Sequence, residues 1–255
     1  MPAVQVKNLF FSYENAESSA VDNVTFELKH GSYTVLAGKN GSGKSTVAKI
    51  IAGLLEPKKG SVEIEENLRV GIIFQSPKDQ IICGIVFHDT EFGPKNLGFS
   101  KSEVELNAIE SLSATGMLDF ANHKTMNLSL GQTQKVALSG ILAMDPDILI
   151  LDEAFSMLDP KSRDEMYTFI DSINNKGVTV FHISHDLEAV CHARDVIFMQ
   201  NGKISWAGTS GGFLADKKLV EKLAGKKLPV NSGKWNSEGN EIVFSARNLN
   251  FSYNK

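Results

Sequence analysis

A glycine-rich loop between an apolar strand and a helix is the feature that most constrains the fold of this chain. The loop occupies residues 38–46 and reads Gly-Lys-Asn-Gly-Ser-Gly-Lys-Ser-Thr, which fits the pattern Gly-x4-Gly-Lys-Ser/Thr. The apolar segment before it, residues 33–37, predicts a strand, and residues 44–55 predict a helix. This order predicts an α/β fold that carries a phosphate loop.

Each part of the loop has a chemical reason. Glycines let successive backbone N–H groups curl around phosphate oxygens without a Cβ clash. Lys44 would place a positive charge at the β- and γ-phosphates, and Ser45 would give its hydroxyl to Mg²⁺. A glycine-rich turn without a ligand is the alternative, which the flanking strand and helix disfavour. The residues predicted to bind nucleotide are Gly38, Asn40, Gly41, Ser42, Gly43, Lys44, Ser45 and Thr46.

Two carboxylates follow the longest apolar run of the chain. Residues 148–151 predict a buried strand, and Asp152 and Glu153 come directly after it. Asp152 is predicted to hold Mg²⁺, directly or through water, as the carboxylate at a strand end does in phosphate-loop enzymes. The alternative is that the pair merely ends a buried strand in solvent. Its occurrence beside a phosphate loop favours the metal site.

A third motif, Leu128-Ser129-Leu130-Gly131-Gln132, stands about twenty residues before these carboxylates. Ser129 is predicted to cap a helix, whose first turn would offer free N–H groups and a positive dipole end to an anion. A plain capped helix is the alternative.

The rest of the chain predicts a mixed sheet with helices and an all-helical insertion at about 76–144. One apolar stripe within the insertion combines Val104, Leu106, Ile109 and Leu112, beside Glu103. Asp159-Pro160 predicts a helix start and Gly177 a helix stop. Asn201-Gly202 predicts a two-residue hairpin turn between 196–199 and 203–206. Further strands are predicted at 4–6, 24–28, 61–64, 70–74 and 178–183.

Composition narrows the functional class. A chain of 255 residues can bury one large α/β domain or two modest ones. The net charge of −4 argues against a nucleic-acid-binding surface. Cys83 and Cys191 are far apart in the sequence and favour a reduced, cytosolic compartment. No window approaches the roughly 20 apolar residues of a membrane span, so any membrane role would come through partners.

The C-terminal residues repeat the N-terminal ones. Residues 225–240 have the composition of a linker, and residues 247–253 then match residues 7–13 at five of seven positions. A chance match is the alternative. We interpret residues 241–255 as the truncated start of a second copy of the domain.

The three motifs in this order resemble the ATP-binding cassette (ABC) family, whose signature reads Leu-Ser-Gly-Gly-Gln. The resemblance covers residues 4 to about 215 and implies a P-loop nucleotide-binding domain over 1–224, with a mixed β-sheet core and a helical subdomain. It also implies that two cassettes work as a pair, with ATP and Mg²⁺ as cofactors. Leu130 replaces the usual first glycine of the signature. Ser129, Gly131 and Gln132 are expected to contact the nucleotide held by the partner cassette. The D-loop residue Asp159 is expected to cap its own helix and to touch the partner cassette.

The resemblance also assigns catalytic roles. Glu153 matches the general base that polarises the attacking water. Gln75 matches the glutamine loop, which senses Mg²⁺ and water, and His185 matches the switch histidine that would hydrogen-bond the γ-phosphate. Tyr13 matches the aromatic residue that stacks on adenine; an edge-strand tyrosine is the alternative.

Two further segments are similar to the ATPases of energy-coupling factor (ECF) importers. They are Phe-Gln-Ser-Pro-x-x-Gln at 74–80 and Phe-Gly-Pro-x-Asn-Leu-Gly at 92–98. Such importers take up vitamins or transition-metal ions, with a transmembrane coupling subunit and a membrane substrate-binding subunit as partners. The resemblance implies a peripheral location on the cytoplasmic face of the membrane, and residues 76–98 as the groove for a coupling helix.

Two alternatives stay open. One is a tandem ABC protein that acts on ribosomes or nucleic acid, and the other is a weakly hydrolysing regulatory half, which Leu130 would favour. The transported substrate is not encoded in this chain, because selectivity lies in another subunit.

Overall fold

The structure is a computed structural model that describes residues 2–14 and 18–225. The predicted second-domain start at 241–255 lies outside the described residues, as does the linker at 225–240 apart from Gly225. That glycine ends the last described helix with φ 68°. Within the described part of the chain, no helix combines the length and apolar character needed to span a bilayer.

A six-stranded sheet forms the centre of the molecule, with strand order β5-β6-β7-β3-β8-β9. The first five strands in this order run parallel, and β9 pairs antiparallel with β8. Every residue of the three central strands β3, β6 and β7 is buried, as expected for a sheet covered on both faces. The strand bounds are β3 Tyr33–Ala37, β5 Val70–Ile73, β6 Ile148–Asp152, β7 Thr179–Ser184, β8 Asp195–Gln200 and β9 Lys203–Thr209.

Three strands form a separate antiparallel sheet in the order β2-β1-β4, comprising β1 Val4–Phe11, β2 Val21–Leu28 and β4 Lys59–Ile64. The prediction of one mixed sheet was therefore incomplete. The predicted strands in this sheet were also too short. In β2, buried and exposed residues alternate strictly only from Val24 to Leu28, and the strand begins three residues earlier, across an irregularity at Asn23 with φ 53°. One face of this sheet packs with α1 (Lys44–Ile51) over the central sheet.

Helix α1 ends earlier than the sequence predicted. Its last residue is Ile51 rather than residue 55, because the chain turns at Gly53 with φ 73°. The other helices are α2 Val86–Asn96, α3 Lys101–Ala114, α4 Leu130–Leu142, α5 Pro160–Asn174, α6 Leu187–His192, α7 Ser210–Ala215 and α8 Lys217–Ala224.

The helices between β5 and β6 pack on one another, but the predicted apolar stripe on α3 was right only for Val104 and Leu112. Val104, Ala108 and Leu112 form the buried face, at a spacing of four residues. Leu106 and Ile109 lie on the other side and are exposed. Before α2, residues 76–85 contain only a short 3₁₀ turn at Pro77–Asp79, so the helical structure begins later than residue 76.

Two turn predictions were confirmed. Asn201 and Gly202 join β8 to β9 with φ of 49° and 76°, the positive values of a type I′ hairpin. Asp159 caps α5 by accepting a hydrogen bond from Ser162 N at 3.0 Å. Helices α6, α7 and α8 have no counterpart among the elements predicted from the sequence.

Strand β7 of the central sheet contains a buried histidine, His182. His182 is 1% exposed, and its Nδ1 lies 3.1 Å from the hydroxyl oxygen of Tyr33. The rings of Phe155 and Tyr167 lie 5.4 and 5.8 Å from it. Burial lowers the pKa of His182 from 6.5 to about 3, and the nearby His192 adds to this effect.

Acid should therefore destabilise the fold through His182. Below pH 6.5, His182 of the unfolded chain binds a proton, whereas His182 of the folded chain stays neutral down to a pH of about 3. The free energy of unfolding should fall as pH drops through this window, by up to about 1.4 kcal/mol per pH unit. Urea unfolding between pH 7.5 and 4.5 should show a shallower dependence for His182→Gln than for the wild type. Parallel curves for the two proteins would contradict the assignment.

Candidate active site

The phosphate loop, residues 38–46, follows β3 and leads into α1, and two of its glycines are required by close packing. A Cβ at Gly43 would collide with the carbonyl oxygen of Ala20, and φ there is 99°. A Cβ at Gly38 would collide with the carbonyl oxygen of Met199. The buried Ser42 Oγ has no hydrogen-bond partner among the described residues. The loop thus holds a polar cradle in a fixed shape.

Lys44 is a buried cation in this loop. It is 4% exposed, its Nζ donates to the carbonyl oxygen of Lys39 at 3.1 Å, and it lies 3.7 Å from Glu153 Oε1. Burial lowers the pKa of Lys44, against the opposing effect of Glu153 and Asp152. An anion beside the ammonium would favour its charged form, which fits a phosphate ligand.

Ser45 and Asp152 meet at the carboxyl end of β6. The Ser45 hydroxyl donates to Asp152 Oδ1 at 2.7 Å, although the two residues are 107 positions apart. Asp152 is 5% exposed, and burial raises its pKa. A divalent cation would favour the ionised carboxylate, and hydroxyl and carboxylate oxygens are ligands that Mg²⁺ accepts. The residues present therefore fit a magnesium site.

Glu153 adopts a strained backbone conformation directly after β6. Its φ is 51°, in the left-handed region that non-glycine residues seldom occupy, and its N–H donates to the Ile183 carbonyl oxygen at 3.0 Å. Its Oε2 lies 2.9 Å from His185 Nδ1, off the alignment of a hydrogen bond. The other carboxylate oxygen, Oε1, faces Lys44 of the loop, and His185 lies beside Glu153 just after β7.

A cleft of about 570 Å³ collects most of the predicted nucleotide residues. The Tyr13 hydroxyl lies 3.1 Å from Thr46 Oγ1, so the aromatic ring stands at the edge of the loop, 46% exposed. Asp152 and His185 adjoin the cleft through Ser45 and Glu153 without lining it. Among the lining residues are Tyr13, Asn40, Gly41, Gly43, Lys44, Ser45, Thr46, Gln75 and Glu153.

A second cleft, of about 470 Å³, contains the signature motif and shares no lining residue with the first. Ser129 caps α4 in a reciprocal capping box with Gln132, and the first helical turn faces the cleft. Leu130 is 37% exposed on its rim. The predicted partner-contacting residues Ser129, Gly131, Gln132 and Asp159 all line this second cleft.

A largely parallel sheet with a phosphate loop at the end of one strand, and a hydroxyl–carboxylate pair at the end of another, defines a P-loop nucleoside triphosphatase. A family model described as ABC transporter matches residues 21–156, just over half of the chain. The chain belongs to the ABC transporter family, and it is an ATP-hydrolysing cassette.

The chain is also similar to two ATP-binding proteins of energy-coupling factor transporters. The chain is 39% identical to the energy-coupling factor transporter ATP-binding protein EcfA1 of Fusobacterium nucleatum, over 97% of this chain and 95% of the relative. It is 40% identical to EcfA1 of Streptococcus thermophilus, over 79% and 78%.

Solved structures agree in fold. CbiO1 of Clostridium perfringens, part of the ABC transporter complex CbiONQ, superposes with a TM-score of 0.77 at 27% identity, covering 87% of this chain and 94% of that one. A dimeric bacterial ABC transporter cassette, MJ0796, gives a TM-score of 0.74 at 27% identity, covering 81% and 98%.

The structure also explains a motif residue that sequence reasoning left without a role. Gln80 accepts a hydrogen bond from Phe74 N and donates one to the Ile72 carbonyl oxygen, both at 2.9 Å. Its side chain thus prolongs the edge of β5 and fixes the backbone that carries Gln75. Arg163 has no sequence motif that marks it, because its contacts lie 23 and 25 positions away in the chain.

Proposed function

We propose that this chain is the ATP-hydrolysing subunit of an ECF-type importer, driven by ATP-dependent closure of two cassettes. The observation that carries the proposal is the separation of the two clefts. The signature residues lie apart from the phosphate loop of the same chain, so a complete site needs the second cleft of another cassette. The ECF relatives and the dimeric cassette support this arrangement.

The residues around the phosphate loop would act in concert on ATP. Lys44 and the loop N–H groups would hold the phosphates. Ser45 and Asp152 would hold Mg²⁺, with Gln75 at its edge, and the ion would neutralise charge on the phosphates. Glu153 would accept the proton of the attacking water, and His185 would orient the γ-phosphate beside it. Tyr13 would stack on the adenine.

The second cleft would serve the nucleotide of the partner cassette. The capping box leaves the N–H groups of Leu130 and Gly131 to face its γ-phosphate at the start of α4, where they would present partial positive charge beside Ser129 and Gln132. Asp159 lies at the same rim and would touch the partner. Leu130 protrudes there as well, and this exposure is what favours the second candidate, a slowly hydrolysing regulatory half.

A third, mainly apolar cleft of about 390 Å³ opens beside Gln75. Ile82, Phe92 and Leu97 line it with exposed fractions of 65%, 37% and 51%. We assign it to a helix of the transmembrane coupling subunit, since an amphipathic helix buries its apolar face in such a groove. The chain would then lie on the cytoplasmic face of the membrane, in an importer for vitamins or transition-metal ions.

A charge in this cleft should uncouple the cassette from the importer. Ile82→Glu should weaken binding to the coupling subunit at least about tenfold, because binding would bury the new carboxylate. ATP hydrolysis by the isolated chain should not change. Leu106→Glu is the matched control, since Leu106 is 54% exposed on α3 and does not line the cleft. Co-purification and substrate uptake measure the effect, and equal behaviour of the two variants would refute the docking assignment.

The domain limits remain part of the proposal. We assign residues 1–224 to the cassette, with the helical subdomain at about 76–144, and keep 225–240 as a linker to a second cassette start at 241–255. Binding to ribosomes or nucleic acid in place of a membrane partner would support the alternative function, a tandem ABC protein that acts on ribosomes or nucleic acid.

A further inference from the structure

The side chain of Arg163 links helix α5 to the turn that follows β7. Arg163 lies in the first turn of α5, where its N–H donates to the Asp159 carbonyl oxygen at 2.9 Å. Its side chain is 24% exposed and crosses to the turn after β7. There Nη1 lies 3.8 Å from Asp186 Oδ2, and Nε lies 3.4 Å from Glu188 Oε2.

The two carboxylates belong to the segment that carries His185. Asp186 follows His185 directly, and its N–H donates to Ser184 Oγ at 3.0 Å. Glu188 stands in the first turn of the short helix α6. Neither contact has hydrogen-bond geometry, so Arg163 acts on the two carboxylates by charge. The two ion pairs link the start of α6, next to His185, to α5.

His185 transmits this placement to Glu153. Its Nδ1 lies 2.9 Å from Glu153 Oε2, and Arg163, Asp186, His185 and Glu153 line one small enclosed space. Arg163 does not line the nucleotide cleft. Any effect of Arg163 on hydrolysis must therefore act through its neighbours.

An arginine suits this task because its guanidinium faces the two carboxylates through separate nitrogens, whereas a lysine ammonium is a single point of charge. Helix α5 begins at the Asp159 cap, which lines the signature cleft. The same helix thus reaches from the second cleft to the His185 turn.

We propose that Arg163 is a positioning residue that ties the His185 turn to α5, so that contact at Asp159 and the placement of His185 against Glu153 change together. This inference rests on the proposed function, since it presumes hydrolysis at Glu153.

The test is steady-state ATP hydrolysis by the full chain carrying Arg163→Met. We expect kcat to fall roughly tenfold or more, because small displacements of catalytic groups carry losses of this size. KM and the affinity for a fluorescent ATP analogue should stay within about twofold. Arg163→Lys should keep an intermediate rate. Lys176→Met, which removes an exposed positive charge just beyond the other end of α5, should leave kcat unchanged.

A double variant separates positioning from a general structural role. In a His185→Ala background, Arg163→Met should cause no further loss of kcat, because both changes act through one group. Additive losses, loss of nucleotide affinity in Arg163→Met, or a wild-type kcat in that variant would each overturn the proposal. Glu153→Gln tells the two failures apart. If that variant hydrolyses ATP normally, the proposed function fails; if it is inactive while Arg163→Met is normal, only this inference fails.

Discussion

Glu153→Gln should lower kcat for ATP hydrolysis by about 10²- to 10⁴-fold while ATP binding is retained. The amide keeps the shape of the carboxylate but cannot accept the proton of the attacking water. The backbone of Glu153 is held by the hydrogen bond from its N–H to the Ile183 carbonyl oxygen, so the isosteric glutamine should keep the same position in the cleft. Phosphate release under saturating ATP is the measurement.

A matched carboxylate controls for the change in charge. Glu110→Gln removes an exposed carboxylate from α3, away from the cleft, and should hydrolyse ATP at the wild-type rate. Equal rates for the two variants and the wild type would remove Glu153 from the role of general base.

Lys44→Ala should have the second large effect, a loss of nucleotide affinity of roughly 100-fold or more. Lys44 is a largely dehydrated cation in the phosphate loop, and its charge-assisted contacts with phosphate would be lost together. Titration with a fluorescent ATP analogue measures the affinity. Lys176→Ala, at an exposed site, serves as the control, and thermal unfolding without nucleotide checks that the fold survives.

The phosphate-loop assignment makes this outcome sharp. An Lys44→Ala chain that binds and hydrolyses ATP like the wild type would exclude the loop as the nucleotide site. A chain that binds ATP normally but hydrolyses slowly would limit Lys44 to the chemical step.

Short sequence patterns predicted much of the fold. The phosphate loop, the β8–β9 hairpin and the capped start of α5 depend on neighbours within a few residues, so their sequence signals suffice. The stripe on α3 failed because Leu106 and Ile109 are apolar yet exposed, and only packing identifies Ala108 as a core residue. The second sheet depends on long-range strand pairing, which short alternating segments do not specify.

Some features of the candidate site were predictable from the sequence, and others were not. Lys44 and Asp152 were marked by motifs, and the sheet brings Ser45 within 2.7 Å of Asp152. Neither the left-handed backbone of Glu153 nor the Arg163 contacts has a local sequence signal, because tertiary packing creates both. The separation of the two clefts likewise appears only in three dimensions.

The most direct test of the account is the mass of the Glu153→Gln chain in solution, measured by sedimentation with and without ATP. In the proposed mechanism, the two clefts of one cassette do not complete a site together. Saturating ATP should therefore raise the measured mass from that of one cassette to that of two. The measurement is made in two samples, the chain by itself and the chain mixed with the second cassette of the importer. Ser129→Arg in the same chain should block the conversion by filling the second cleft. A mass that stays at one cassette with ATP bound, in both settings, would contradict the composite site.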